Sequence, residues 1–349
     1  MADTRINAAL AAQPAHLVKL CCALIDAGQG DKAVALVDHA LALNPGDPHF
    51  REAAAIILTH RVPKFHSHML EDSARNHAYA RAIARAVADG DKVLDIGAGT
   101  GLLAMMAARA GASEVVACEA NPMLAATARA IVADNGLADT VRIFAKNSAD
   151  IDVEADLGGR VDVIVHEIFG HDLVGESVLP ALRDAVRRFA YPDTRIVPPR
   201  ASARIALADL AGDRIPPLRI VAGFDLGLFD RHVAAVSRIE VDDPRLHLRS
   251  EAHDIFAFDF TSPDTPATAS ATIAACSTGG RVNGVAQWIR IEFDGDEAIE
   301  NRPGTGSASH WQVVFFPLAE AIDTTPGDTL SLHAWHDQLH LRVWAATAP

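Results

Sequence analysis

The spacing of apolar positions changes twice along the chain, and each change marks a boundary. From 14 to 59, small and apolar residues recur at helical spacing in three stretches, the middle one reading DAGQGDKAVALVDHALALNPGDP at 26–48. Gly30, Ala33, Ala40 and Pro45 stand where a helical hairpin repeat places its small packing residues and its terminating proline. One such hairpin cannot bury its own apolar face, so it must pack on the rest of the chain or on another subunit. After Val62-Pro63 an amphipathic helix is expected to end near Ala88, and from there to about Val197 short apolar runs alternate with helical stretches. Pro198-Pro199 closes that region. Beyond it the spacing falls to two, in runs such as ASARIALAD, DIFAFDF, QWIRIEF, WQVVFF and LSLHAW separated by glycine, proline and aspartate turns. That pattern predicts antiparallel strands closed into a barrel. Between them DLAGDRIPPLRIVAGFDLGLFDRHVAAV, at 209–236, shows little alternation.

The stretch VLDIGAGTG at 93–101 reads as a buried strand (Val93, Leu94, Ile96), a tight turn (Gly97, Gly99, Gly101) and the start of the helix LLAMMAARA. Glycines admit positive φ and a close ligand, and the helix start offers free N–H groups. A second strand, EVVACE, ends in Glu119, about 20 residues past the first glycine, where a carboxylate can accept both hydroxyls of a ribose. Two features separate this turn from a dinucleotide site. GAGTG departs from GxGxxG, and Asp95, just inside the strand, would repel a pyrophosphate but tolerate an amino-acid ammonium group. The expected cofactor is S-adenosylmethionine.

Downstream, HEIFGHDLVGE at 166–176 carries Glu167 and Glu176. Two acids at one loop repel each other when buried and ionised, so their natural tenant is a delocalised cation that both can hold. A guanidinium group fits that description best.

These residues resemble the protein arginine methyltransferases, and the resemblance runs from about residue 62 to the C-terminus. HSHMLEDSARNHAYARAI at 66–83 is similar to the segment that precedes the family's cofactor strand, which implies that Arg75 clamps the cofactor carboxylate and that His66 and Met69 line its methionine end. Glu167 and Glu176 match the family's double-glutamate loop, and FGHDLVGES is most similar to the monomethylating members and their tetratricopeptide-bearing relatives. Ser309-His310-Trp311 resembles the threonine-histidine-tryptophan loop, and Asp72 matches the acid that pairs with its histidine. Lys146, Asn147 and Ser148 fall in the window that borders the adenine. The Asp72–His310 pair is open to two readings, a proton relay and a bond that closes the site. Trp311 likewise fits either the face of the substrate guanidinium or the barrel core. His166 stands where the family has a small hydroxylated residue, Ser309 replaces a threonine, and the tyrosine-bearing motif of many members is missing at the start of the catalytic region.

The expected fold class is therefore α/β: a helical, tetratricopeptide-like segment at 1–60, a Rossmann-like class I methyltransferase domain at 61–197 and an antiparallel β-barrel substrate domain at 198–349. The segment at about 209–236 corresponds to the family's dimerisation arm, or else to a loop covering the barrel end. The resemblance implies methyl transfer to arginine in a protein or peptide by a homodimer. A small guanidine metabolite, a peptide natural product and a protein lysine are alternative acceptors, and a binding protein with a vestigial catalytic domain is the reading from another class.

Composition adds limits. The 349 residues are half apolar and carry a formal charge of −14, which disfavours nucleic-acid binding and favours cationic partners. Cys21, Cys22, Cys118 and Cys276 lack metal-ligand spacing and read as buried small hydrophobes in a reducing compartment. No apolar run reaches a membrane span and no leader is visible, so the expected location is cytoplasmic. His333 and His336 in LHAWHDQLH read as structural, and no metal is expected.

Overall fold

A computed structural model describes residues 13–62, 65–212, 220–232, 236–295, 297–306 and 309–347. Residues 1–12 of the helical segment, Pro63 and parts of the 209–236 stretch lie outside the described residues. The chain forms two compact units: Met1–Glu71, Tyr79–Glu167 and Asp184–Val197 make the first, and Asp72–Ala78, Ile168–Arg183 and Pro198–Pro349 the second.

The first unit opens with α1 (Pro14–Asp26), α2 (Gly30–Leu43) and α3 (Pro48–Leu58). Asp47 caps α3 by accepting from His49 N at 2.8 Å, and Pro48 stands where a missing N–H costs nothing. Leu17, Cys21, Ile25, Ala33, Val37, Ala40, Phe50 and Ile57 bury one shared face, and Met123 joins them from outside the segment. The hairpin thus covers its apolar face with the rest of its own unit. The small residues make this possible, because a Cβ on Gly30 would lie 2.6 Å from the backbone carbon of Pro122. Asn121 Nδ2 donating to Arg61 O at 3.0 Å and an Arg129–Asp31 ion pair fasten the rim.

Where one helix is expected before the cofactor strand, there are two, α4 (Phe65–Glu71) and α5 (Ser73–Ala86). The break falls at Asp72, whose Oδ1 accepts from Arg75 N at 2.9 Å, the bond of a helix N-cap. There follow β1 (Lys92–Ile96), α6 (Leu102–Arg109), β2 (Glu114–Cys118), α7 (Pro122–Asp134), β3 (Val141–Phe144), β4 (Val161–His166), α8 (Val178–Phe189) and β5 (Ala190–Val197). The strands form one parallel sheet in the order β3-β2-β1-β4-β5. Val93, Leu94, Val116, Ile164 and Val165 are fully buried, as strands covered on both faces require. The order reverses between β1 and β4, so the crevice of the sheet opens at their carboxyl ends.

The second unit is antiparallel. β6 (Arg200–Leu210) is followed by the short hairpin β7 (Ile220–Val221) and β8 (Phe224–Asp225), then β9 (Ser237–Ile239), β10 (Leu246–Leu248), β11 (His253–Asp259), β12 (Ala269–Cys276), β13 (Gly280–Glu292), β14 (Ala298–Glu300), β15 (Val313–Thr324), β16 (Thr329–His336) and β17 (Leu341–Thr347). A seven-stranded sheet runs β10-β6-β13-β15-β9 with β11 on β6 and β14 on β13, and a second runs β12-β16-β17. Trp288 and Phe315 fill the core beside Ala206, Ala208, Ile239 and Val313. The α/β and barrel-like organisation expected from the spacing is the one found. Within the 209–236 stretch, Asp209 and Leu210 finish β6, while Ile220, Phe224, Leu228 and Phe229 hold between 56% and 76% of their surface in solvent.

Two cysteines depart from expectation. Cys21 and Cys118 are buried, but Cys22 is half-buried and Cys276 is exposed, its side chain on the outer alternation of β12. Among the described residues no helix is long and apolar enough to cross a membrane.

Replacing Gly30 by valine should force the Pro122 backbone away and cost about 1–3 kcal/mol, the usual range for overpacking. Urea unfolding of the two proteins measures it; equal midpoints would mean that the helices do not seat on Pro122.

Candidate functional site

In the first unit the crevice is assembled from the loops that follow successive strands. Gly97, Gly99 and Gly101 all have positive φ, at 81°, 54° and 80°, which explains three glycines in five positions. Gly101 ends in the left-handed region as the N-cap of α6. Glu119 follows β2, its Oε2 accepting from Gly99 N at 2.9 Å and its Oε1 from Asn121 N at 2.7 Å. The acid expected for a ribose therefore also ties the glycine turn to the next strand. Asp95 is fully buried inside β1, between Ala117 of β2 and Val165 of β4 in register. Cys118, at the end of β2, is 1% exposed, and burial pushes its thiol up to about 12. After β3, Asn147 caps a short 3-10 turn by accepting from Ala149 N at 3.0 Å, Ser148 is buried, and Lys146 is paired with Asp156 at 2.6 Å.

His66 stands over this turn, its ring atoms 4.0 Å from where a Cβ on Gly99 would lie. Burial lowers its pKa against the opposing pull of Glu119 and Glu167, so its ring is neutral near pH 7. Its Nδ1 is buried with no hydrogen-bond partner among the described residues. Glu167, 9% exposed, follows β4, and His166 before it is fully buried beside Ile96. Met69 is half-buried on α4. A carboxylate after β2 bonded to the glycine turn and an orphaned imidazole nitrogen over that turn together suit a nucleoside that carries an amino acid.

The second unit holds the other expected residues. His310 Nδ1 lies 3.0 Å from Asp72 Oδ2, and His310 N donates to the same oxygen at 3.2 Å, with side chains only 6% and 4% exposed. Arg75 is 3% exposed, its Nη1 donating to Asn76 Oδ1 at 2.8 Å, and with Asp72, Ile289, Asn301, Ser309 and Trp311 it lines a cavity of about 260 Å³. Ser309 Oγ accepts from Trp311 N at 3.2 Å, so serine fills the threonine's place in turning the loop. Trp311 is 3% exposed; its ring packs on His310 at 3.9 Å between centroids and its Nε1 donates to Phe169 O at 3.1 Å. Glu176 is exposed and belongs to this unit, whereas Glu167 belongs to the first.

Three residues the sequence reading passed over hold the loop. Asn301, 2% exposed, donates to Trp311 O at 3.0 Å and accepts from Ile289 N at 2.8 Å. His171 Nδ1 accepts from Gln312 N at 2.9 Å, and Gln312 Nε2 donates to Glu240 at 2.6 Å. Burial, with help from Arg238 and His310 and against Glu240, pushes His171 down to about 4. No local pattern announces these residues, since 141 positions separate His171 from Gln312. His333 and His336 point to opposite faces of β16: one stacks on Trp344, the other meets Phe256 and Phe258 edge to face.

A family model described as ribosomal protein L11 methyltransferase (PrmA) matches residues 79–195. An arginine N(omega)-methyltransferase from Streptomyces achromogenes subsp. streptozoticus is 34% identical over 297 residues, covering 84% of this chain and 81% of that protein. Protein arginine N-methyltransferase 7 from Oryza sativa subsp. japonica is 32% identical over 310 residues, covering 77% of this chain and 43% of that protein, so the chain spans less than half of the plant relative. Among solved structures, the Trypanosoma brucei PRMT1 enzyme-prozyme heterotetrameric complex with AdoHcy matches with a TM-score of 0.68 at 24% identity, over 78% of this chain and 87% of that one. Arabidopsis thaliana protein arginine methyltransferase 10 matches at 0.65 and 22% identity, over 77% and 86%.

Burial alone would raise the Asp72 carboxyl, but the His310 ring and the amides of Arg75 and His310 outweigh it and hold its pKa below the ordinary value. A carboxylate depressed in the folded state stabilises the fold above its unfolded pKa, near 3.9, and that contribution drains away as pH falls through the folded value. Thermal unfolding between about pH 5 and pH 3 should therefore fall more steeply for wild type than for Asp72→Asn, which starts lower. Parallel curves would contradict the assigned hydrogen bonds.

Proposed function

We propose that this chain, which belongs to the arginine N-methyltransferase family, transfers a methyl group from S-adenosylmethionine to a guanidine nitrogen of arginine. The observation that carries the reading is a buried carboxylate, Glu167, directly after β4 at the crevice of the sheet, with a second, Glu176, nine positions later. An arginine side chain has a pKa above about 12, so its nitrogens are protonated and poor nucleophiles. Glu167 and Glu176 hold the guanidinium by charge-assisted bonds and draw positive charge away from the nitrogen that is attacked. Glu119 holds the ribose, Gly97, Gly99 and Gly101 leave room for the cofactor, Asn147 and Ser148 border the adenine, and Asp95, Arg75, His66 and Met69 face its amino-acid end. When bound, the cofactor supplies an electrophilic methyl group on a sulfonium. His310, with Nδ1 committed to Asp72, presents Nε2 as the base for the proton that the product releases. Trp311 closes the substrate side.

The acceptor is an arginine of a basic protein or peptide, drawn in by the chain's charge of −14, and the product is monomethylated, in keeping with the wording FGHDLVGES. A second reading, free arginine as acceptor, is favoured by the name of the Streptomyces relative. The chain works in the cytoplasm as a homodimer through the 209–236 arm, a role supported by four large apolar side chains standing in solvent there. The N-terminal helices are a structural cap of the methyltransferase unit.

Incubation with methyl-labelled S-adenosylmethionine and either a host lysate or free arginine should yield labelled methylarginine. Glu167→Gln should lower turnover by at least ~100-fold with cofactor affinity retained. Label on lysine, or an unimpaired variant, would refute the mechanism. Sedimentation velocity should show a dimer that Phe224→Asp with Leu228→Asp converts to a monomer; a monomeric wild type would dispose of the arm.

A further inference from the structure

The hairpin that bears Glu176 is stiff in itself. Asp172 Oδ1 accepts from Gly175 N at 2.8 Å, Gly170 bridges Leu173, and Leu173 and Ser177 hold positive φ of 74° and 65° although neither is glycine. Strained backbone of this kind persists only where its surroundings over-determine it, and Leu173 and Val174 are buried to 0% and 1% exposure. A piece so constrained moves as one, and its placement is set by its external ties. Two of these run to the loop of His310: the indole of Trp311 onto Phe169 O, and Gln312 N onto His171 Nδ1. That loop is itself anchored, because Asp72 receives both the ring and the backbone N–H of His310.

We infer that His171 is a positioning residue for methyl transfer, holding the Glu176 hairpin in register with the His310 loop through the lone pair on Nδ1; the inference rests on the roles proposed above for Glu176 and His310. The tie is specific in its chemistry. An amide N–H needs an acceptor, so the ring must be neutral with its hydrogen on Nε2. Arg238, and His310 whenever its own ring carries a second proton, oppose a second proton on His171, and the acid facing it, Glu240, is engaged by Gln312 Nε2. A side chain of similar size without an acceptor at that point would leave Gln312 N unmatched and free the hairpin to shift. Asparagine would not, since its Oδ1 occupies nearly the place of Nδ1.

His171→Leu and His171→Asn are the test, read by steady-state kinetics on the acceptor that the wild type methylates and by hydrogen exchange across 309–314. The leucine variant should lose kcat by about tenfold or more, with the KM for S-adenosylmethionine unchanged, and should exchange faster at the Gln312 amide. The asparagine variant should restore both. A leucine variant that turns over like wild type, or an asparagine variant as impaired as leucine, would overturn the role of His171 alone. A wild type that methylates no arginine would overturn the proposed reaction, and the inference with it.

Discussion

One carboxylate, Asp72, is shared between two demands that the second unit could not otherwise reconcile. Its Oδ1 begins α5 and its Oδ2 receives both the ring and the backbone N–H of His310, 238 residues further on. A buried charge is tolerable only when its lone pairs are met, and here three donors meet them. The same acid therefore decides where a helix starts and where a loop stops. Asn301, Trp311 and Gln312 add bonds that hold the same loop from its other sides.

The first unit is governed by a different constraint. A parallel sheet whose strand order reverses must leave a crevice between β1 and β4, and everything placed after those strands faces it. Three residues in left-handed conformation let the chain turn there, and the two oxygens of Glu119 hold the turn to the neighbouring strand. The three helices at the front of the chain bear on this only indirectly. They seat against Pro122 and Met123, at the start of the helix that follows Glu119.

What the sequence made legible was local. Glycines in a strand-turn-helix register, an acid one strand later and alternation after Pro198 are each contained in a few tens of residues, and each was found where expected. The small residues Gly30, Ala33 and Ala40 announced a close approach, but what they approach could not be read, because Met123 lies in another helix. One helix was read where two exist, since a capping aspartate inside an amphipathic stretch resembles any exposed polar position. The bond from Gln312 to His171 was invisible for the same reason: nothing in a single sequence pairs residues that far apart. Cys276 was misjudged because β12 places it on the outer alternation, where a small hydrophobe is not required to be buried.

Cys118 ends the strand beside the glycine turn, fully enclosed, with its thiol pushed up to about 12. S-adenosylmethionine carries an electrophilic methyl group, and a thiolate is among the strongest nucleophiles a protein contains. At neutral pH a thiol raised that far stays protonated. The apolar packing that makes β2 a core strand also keeps this thiol protonated, so a cysteine beside the glycine turn is a poor competitor for the methyl group of the proposed cofactor.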